Sequence, residues 1–464
     1  MKSYLFSCLK KVQSDYAEIR YEQISSVYIH YVGKEIESIG NSTEKGGGIR
    51  TKQKGGWSFV SFNNLDKLPS YLNFAVKQAR LTKIKPVKCL LSNGVNSINL
   101  APVPSWIKTI PATARKDPGK ISLEEKYRLC THYNKILLST KEIQTSNLRY
   151  TDVHTMKYFA NSEGTYTQQE RFYTVLGMTA IARRGNNIQS TQEGVGGVGG
   201  YELVENQEEK AKEAARRASN LLNAKPTKKG KYTVVIDPKL SGVFAHEAFG
   251  HLSEADFLYE NEQLLKIMKL GRVFGNQGLN IIDEPPIPGE GGFYLYDDEG
   301  VASRKTYLIR EGKLVGRLHS RETAAKMGEE PTGNARAISY EYPPIVRMSN
   351  TYIEPKNMSK EEMVSGVKRG IYARGFRGGQ TNLEMFTFAP EEGYLIENGK
   401  LTKPIRDFNL TGNIFTTLKN IDAIGDDLVL FAGPGGCGKG EQSPLPVSTG
   451  GPHIRIRDLV VGGE

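Results

Sequence analysis

Along the first 224 residues the apolar positions switch repeatedly between a period of two and a period near 3.6. The stretch YAEIRYEQISSVYIHYVGKEIESIG (16–40) alternates apolar and polar residues and is rich in β-branched and aromatic side chains. It predicts one or two strands, with Gly46–Gly48 expected as the following turn. WSFVSFNN (57–64) reads as another strand, and LDKLPSYLNFAVKQARL (65–81) carries apolar residues at helical spacing. A Pro-rich passage, Pro102 to Pro118, leads into a helix predicted over 122–138, where Ser122 and Glu125 have capping-box spacing. Strands are expected around 147–159 and 171–183, a helix over 205–222, and the start of a further helix at residues 1–11.

After Ala224 the pattern changes. KYTVVID (231–237) reads as a strand feeding a helix over 238–259, with Pro238 near its start. From about Leu279 the chain is rich in strands and glycine turns, including hairpins over 306–319 and 391–405. The expectation is an α+β chain of two domains. Residues 1–224 form an N-terminal α/β domain, and 225–464 form a β-rich catalytic domain with its helix packed on or between sheets.

Composition narrows the class. The 464 residues are 38% hydrophobic and 24% charged, as in an ordinary soluble protein. No apolar run approaches the roughly 20 residues that cross a bilayer, and the stretch before Cys8 is too short for a lipoprotein signal, so no membrane association is expected. Cys8, Cys89, Cys130 and Cys437 are widely spaced and suggest free thiols in a reducing cytoplasm, the first three as small core residues. The net charge of +11 arises from 62 basic and 51 acidic residues that are scattered. Short groups such as Lys83, Lys85 and Lys88, or Lys225, Lys228, Lys229 and Lys231, read as solvated faces. Nucleic-acid binding is not expected, although the net field favours acidic partners.

The chemistry concentrates in AHEAFGHLSEAD (245–256). His246 and His251 offer neutral nitrogen ligands, and Glu247 is a carboxylate placed to deprotonate a metal-bound water. The histidines stand five apart, which at about 100° per residue splays them by roughly 140° on a regular helix. A π-bulge restores the alignment, and Gly250 is expected to supply backbone freedom for it. A catalytic zinc needs a third protein ligand. The candidates are Glu254, Asp256, His319, His453 and Cys437, of which Cys437 stands out in the glycine-rich GPGGCGKGEQ, where Lys439 would favour a thiolate.

Two glycine motifs are set aside. GPGGCGKG lacks the magnesium-binding hydroxyl of a P-loop and opens no helix, while GVGGVG (194–199) has no ribose-binding acid and is expected as a flexible loop or tight turn.

At these residues the chain resembles the TldD branch of the TldD/PmbA (TldD/TldE) metallopeptidase family. The likeness spans nearly the whole sequence: DYAEIRYEQ, GGGIRTKQKGGWSFVSFNNL, HEAFGHLSEAD, DDEGVASRKTYLIREGKLVG, GGQTNLEMFTFAPEEGYLIENGKLTKPIRDFNLTGN and GGCGKGEQ all match its pattern. The resemblance implies one zinc per chain held by His246, His251 and Cys437, with Glu247 as the catalytic glutamate. It also implies hydrolysis of short or unfolded peptides, and a dimer with itself or with a TldE/PmbA-like sister subunit that lacks the zinc motif. Glu254 or Asp256 would orient a histidine ligand or simply line a helix surface, and the peptide is expected to lie extended along an exposed strand edge. Two rival readings remain: a cysteine peptidase using Cys437 with His453 or His319, and a peptide-binding or assembly subunit with a structural zinc.

Overall fold

The computed structural model describes residues 1–82, 100–382 and 384–463. Cys89 and the group Lys83, Lys85 and Lys88 lie outside the described residues. The N-terminal part contains α1 (Lys2–Lys10), β1 (Tyr16–Val32), β2 (Glu35–Gln53), β3 (Gly56–Phe62) and α2 (Leu68–Leu81). It continues through β4 (Ile107–Ile110), α3 (Leu123–Leu138), β5 (Ile143–Asn161), β6 (Tyr166–Arg184), β7 (Asn187–Val198) and α4 (Glu208–Leu221). The strands build one sheet in the order β3-β2-β1-β5-β6, with β4 and β7 both paired to the long β6. Ser122 caps α3, accepting from the Glu125 N–H at 3.1 Å, which is one of the two bonds of the expected capping box.

The period of two in β1 explains how its faces are used. Odd-numbered Ala17, Ile19 and Tyr21 share one cluster with Leu5 of α1 and Leu72 and Ala75 of α2. Ile29 and Tyr31, further along the same face, pack with Cys130 and Tyr133 of α3 and Ala211 and Ala214 of α4. Even-numbered Glu18, Arg20 and Glu22 are also buried. They face the C-terminal half, where Arg20 donates to the carbonyls of Ser339 and Tyr342 and Arg50 bridges Glu18 and Glu299. Cys8 and Cys130 are buried core thiols.

Two glycine expectations are corrected. Gly46–Gly48 form no turn but sit inside β2, paired with Tyr21 and its neighbours on β1. Glycine is required there by crowding: a Cβ on Gly46 would lie 2.2 Å from the Tyr340 ring, and one on Gly47 2.4 Å from Phe62. The GVGGVG stretch is likewise no loop, since β7 runs through Val198, and Pro434 packs where Gly177 and Gly194 lack side chains.

The C-terminal half begins with β8 (Lys225–Pro226), β9 (Gly230–Ile236) and α5 (Pro238–Ala245). In a ten-stranded sheet β9 lies between Arg369–Arg374, to which it is parallel, and Ile454–Gly462, to which it is antiparallel. A second sheet of six strands ends in Asn350–Ile353, Ser448–Gly451 and Val429–Phe431. The helix α5 lies between the two sheets. Phe244 meets Phe386 of the larger sheet edge-on at 5.4 Å, and Gly242 faces the other so closely that a Cβ would lie 2.3 Å from the Gly450 nitrogen. Both predicted hairpins form, Thr306–Arg310 with Lys313–Leu314 and Glu392–Glu397 with Lys400–Arg406. No helix among the described residues is long and apolar enough to cross a membrane.

Candidate metal centre

Asp237 starts α5, its carboxylate accepting from the Leu240 N–H at 2.9 Å with Pro238 in the first turn. The predicted single helix over 238–259 is in fact four segments. α5 ends at Ala245, a π segment spans His246–Gly250, a 3-10 turn spans His251–Ser253, and a short α-helix covers Ala255–Tyr259. The His251 N–H donates to the His246 carbonyl, an i to i+5 bond that absorbs the extra residue. The two imidazoles consequently come together edge to face, with centroids 5.1 Å apart and planes at 84°.

Gly250 does not supply unusual backbone freedom. Its φ of −58° and ψ of −54° are those of any helical residue. It is needed because Met348 packs against it: a Cβ there would lie 2.0 Å from the Met348 sulfur.

Cys437 comes from 186 residues away, at the start of a strand Cys437–Lys439 paired with Gln442–Leu445. The fully buried Arg347 anchors this hairpin, donating to the carbonyls of Cys437 at 2.6 Å and Gln442 at 3.1 Å. The Cys437 sulfur lies 3.5 Å from His251 Nε2, and one donor atom from each of His246, His251 and Cys437 falls within 4.8 Å of the others. Tetrahedral zinc with bonds of about 2.0–2.3 Å separates its ligands by about 3.3–3.8 Å. His246 is buried and its Nδ1 has no hydrogen-bond partner. Burial alone would raise the Cys437 thiol, but His246 and His251 outweigh it and bring the pKa down to about 5. A thiolate with two imidazoles suits a borderline-soft divalent ion.

The carboxylates behind the site sort themselves by contact. Glu254, with no solvent exposure, accepts His251 Nδ1 at 3.1 Å on one oxygen and the Met348 N–H at 3.2 Å on the other. Burial pushes its pKa up, yet Lys439 and His251 hold it down at about 2. Against burial, Glu254 and Cys437 raise His251 to about 11. Lys439 pairs with Glu254 at 3.0 Å and Asp256 at 2.6 Å rather than with Cys437, so the histidines and not this lysine favour the thiolate. Asp256 accepts from the Val346 N–H and is raised by burial. His319 is buried between Thr323 and Glu329, and His453 between Asp427 and Tyr372. Neither hydrogen-bonds Cys437.

Glu247, His246, His251 and Cys437 line one cleft of about 360 Å³. Its other walls include Gln192–Gly194 of β7, Lys210 of α4, Lys239 of α5, Phe431 at the end of its strand and the loop from Ala432 to Gly436. Arg347 is the residue that sequence reasoning missed. Its contacts lie 90 and 95 residues away, and no local spacing signals them.

Three family profiles match in succession: PmbA/TldA metallopeptidase domain 1 over residues 17–81, the central domain over 116–222 and the C-terminal domain over 229–463. A metalloprotease of Synechocystis sp. is 45% identical over 456 residues, covering 97% of this chain and 96% of its own length. A zinc metalloprotease TldD homolog of Saccharolobus solfataricus is 29% identical over 99% of this chain and 100% of its own. The crystal structure of TldE from Thermococcus kodakarensis superposes over the full length of both chains with a TM-score of 0.75 at 17% identity, a likeness of fold. With the profiles and the Synechocystis relative both spanning nearly all of it, the chain belongs to the PmbA/TldA metallopeptidase family, also called PmbA/TldD.

Proposed function

We propose that the protein is a zinc-dependent peptidase that hydrolyses short or unfolded peptides, with one zinc per chain held by His246, His251 and Cys437 and with Glu247 as general base. The observation that carries this reading is the convergence of those three donors, from two remote segments, in the cleft that Glu247 also lines. The zinc in the name of the Saccharolobus relative supports the choice of metal. When bound, the ion supplies Lewis acidity to the carbonyl and the attacking water. Glu247 takes the proton from that water and returns it to the leaving amine. Glu254 holds the His251 ring by Nδ1, leaving Nε2 directed at Cys437.

The peptide lies extended along a strand edge. Two edges border the cleft: β7 at Gln192–Gly194, and Val429–Phe431 at the end of the six-stranded sheet. Main-chain pairing to either gives affinity with little sequence preference. The protein acts in a reducing cytoplasm, in keeping with its buried free thiols, and pairs as a dimer with itself or with a sister subunit.

The rival readings lack support among the described residues. A nucleophilic Cys437 has neither His319 nor His453 as its base, and a structural zinc needs a fourth protein donor. The test pairs two variants. Glu247→Ala is expected to lose hydrolysis of an unstructured reporter peptide while elemental analysis still finds one zinc per chain. Cys437→Ser is expected to lose both. Zinc loss in the first variant makes Glu247 a ligand, and hydrolysis by zinc-free Cys437→Ser overturns the mechanism.

A further inference from the structure

A second and larger cleft, of about 1390 Å³, shares no lining residue with the metal cleft. Lys225 and Lys228, expected as part of a solvated basic run, line it together with Lys368, Arg369 and Lys403. These five cations come from three separate stretches of chain, and none has a carboxylate partner in an ion pair among the described residues. Arg455 and Arg457 also line the cleft, but both are bound to Asp422, the former at 2.8 Å. Glu397 is the other acid in the lining, so seven cationic side chains face two carboxylates and leave a surplus of five positive charges. Like charges gathered around a concavity repel one another, and the low-dielectric walls focus their field. An anionic occupant relieves that repulsion.

We propose that this cleft binds an acidic polypeptide segment. Its volume exceeds the roughly 300–1,000 Å³ of ordinary small-molecule pockets, which favours a length of polymer. Lysine predominates among the unpaired cations, and its ammonium is a point charge on a flexible stem that meets oxyanions spaced along an extended chain without demanding one orientation. The one aromatic ring in the lining, Tyr232, is buried and lies under the Arg369 guanidinium at 5.6 Å. It is therefore not free as the stacking platform that single-stranded nucleic acid uses. Val367, Leu395 and Ile396 are the apolar part of the lining, of which Leu395 is the most exposed. The site is independent of the metal and of Glu247.

The experiment is fluorescence anisotropy on the full-length, zinc-loaded protein with three labelled probes: an oligoglutamate peptide, an uncharged peptide of equal length and an oligothymidylate of equal charge. Oligoglutamate is expected to bind best, more weakly as salt rises. Lys368→Glu combined with Lys403→Glu is expected to weaken it by about tenfold or more, without change in zinc content or in hydrolysis of an uncharged reporter peptide. Should the double variant lose zinc or cooperative unfolding, Lys368→Gln, on an exposed side chain, is expected to weaken oligoglutamate alone by a smaller factor. Tighter binding of oligothymidylate assigns the cleft to nucleic acid and overturns the proposal. So does equal binding of the uncharged peptide, the absence of oligoglutamate binding, or an affinity that the folded variants leave unchanged.

Discussion

At the scale of single residues the clearest division of labour is between Glu247 and Glu254. Both are acids beside the histidines, but Glu247 lines the cleft, whereas Glu254 is fully buried with both oxygens engaged. Glu254 fixes the ring of His251 and balances Lys439. Replacing it with Gln keeps the shape but removes the charge that holds His251 Nδ1–H. The expected outcome for Glu254→Gln is a zinc affinity lower by about 10–100-fold, measured by competition with a chromophoric chelator, with the fold intact by circular dichroism. Unaltered affinity would show that Glu254 only fills space. The sequence offered Glu254 both as a ligand and as a residue orienting one, because three residues after a histidine a carboxylate can reach either the metal or the ring. Only the contact with Nδ1 separates these.

At the scale of elements, the five-residue spacing of the histidines already required a local widening, since one metal cannot be reached from opposite faces of a helix. The π segment His246–Gly250 provides it. What the spacing did not reveal is why residue 250 is glycine. Met348 fills the volume that a side chain would need, and the Met348 N–H is also bonded to Glu254. Gly250→Ala is therefore expected to cost about 1–3 kcal/mol through overpacking and to weaken zinc binding through Glu254. Adding Met348→Ala should recover much of that loss, a coupling read from a double-mutant cycle of denaturant midpoints and zinc affinities. Additive effects of the two substitutions would mean that the crowding does not control the π segment.

At the scale of the whole molecule, the N-terminal sheet meets the C-terminal half through buried charges. Asp298 is paired with Lys157 and lies 3.7 Å from Arg20, and its second oxygen accepts the Ala337 N–H. Burial pushes its carboxyl up, but Lys157 and Arg20 prevail and hold it at about 2. An unfolded aspartate titrates near 3.9. The folded value is depressed, so the stabilisation is complete above about pH 4 and is lost as the pH falls through about 2. Asp298→Asn is expected to be less stable than wild type by about 2 kcal/mol at neutral pH, the gap closing as the pH approaches 2. Denaturant midpoints across that range check this, and a constant gap would show that the charge of Asp298 contributes nothing.

By itself the sequence determined the α+β class, the four helices of the N-terminal part, the long strands β1, β5 and β6, the His-Glu-x-x-x-His pair and the widened helix it calls for. These are written in local periods and spacings, which a few neighbouring residues are enough to express. It also singled out Cys437, because a cysteine among five glycines is anomalous in its own neighbourhood. The tertiary structure alone decided what those glycines, lysines and acids do. Gly46–Gly48 are glycine because of Tyr340 and Phe62, Lys439 serves Glu254 and Asp256, and Arg347 holds the hairpin that delivers the thiol. Lys225 and Lys228 join Lys368, Arg369 and Lys403 around one cleft. Each depends on partners tens to hundreds of residues away, and such contacts leave no period in the chain because packing and long-range charge, not local propensity, select them.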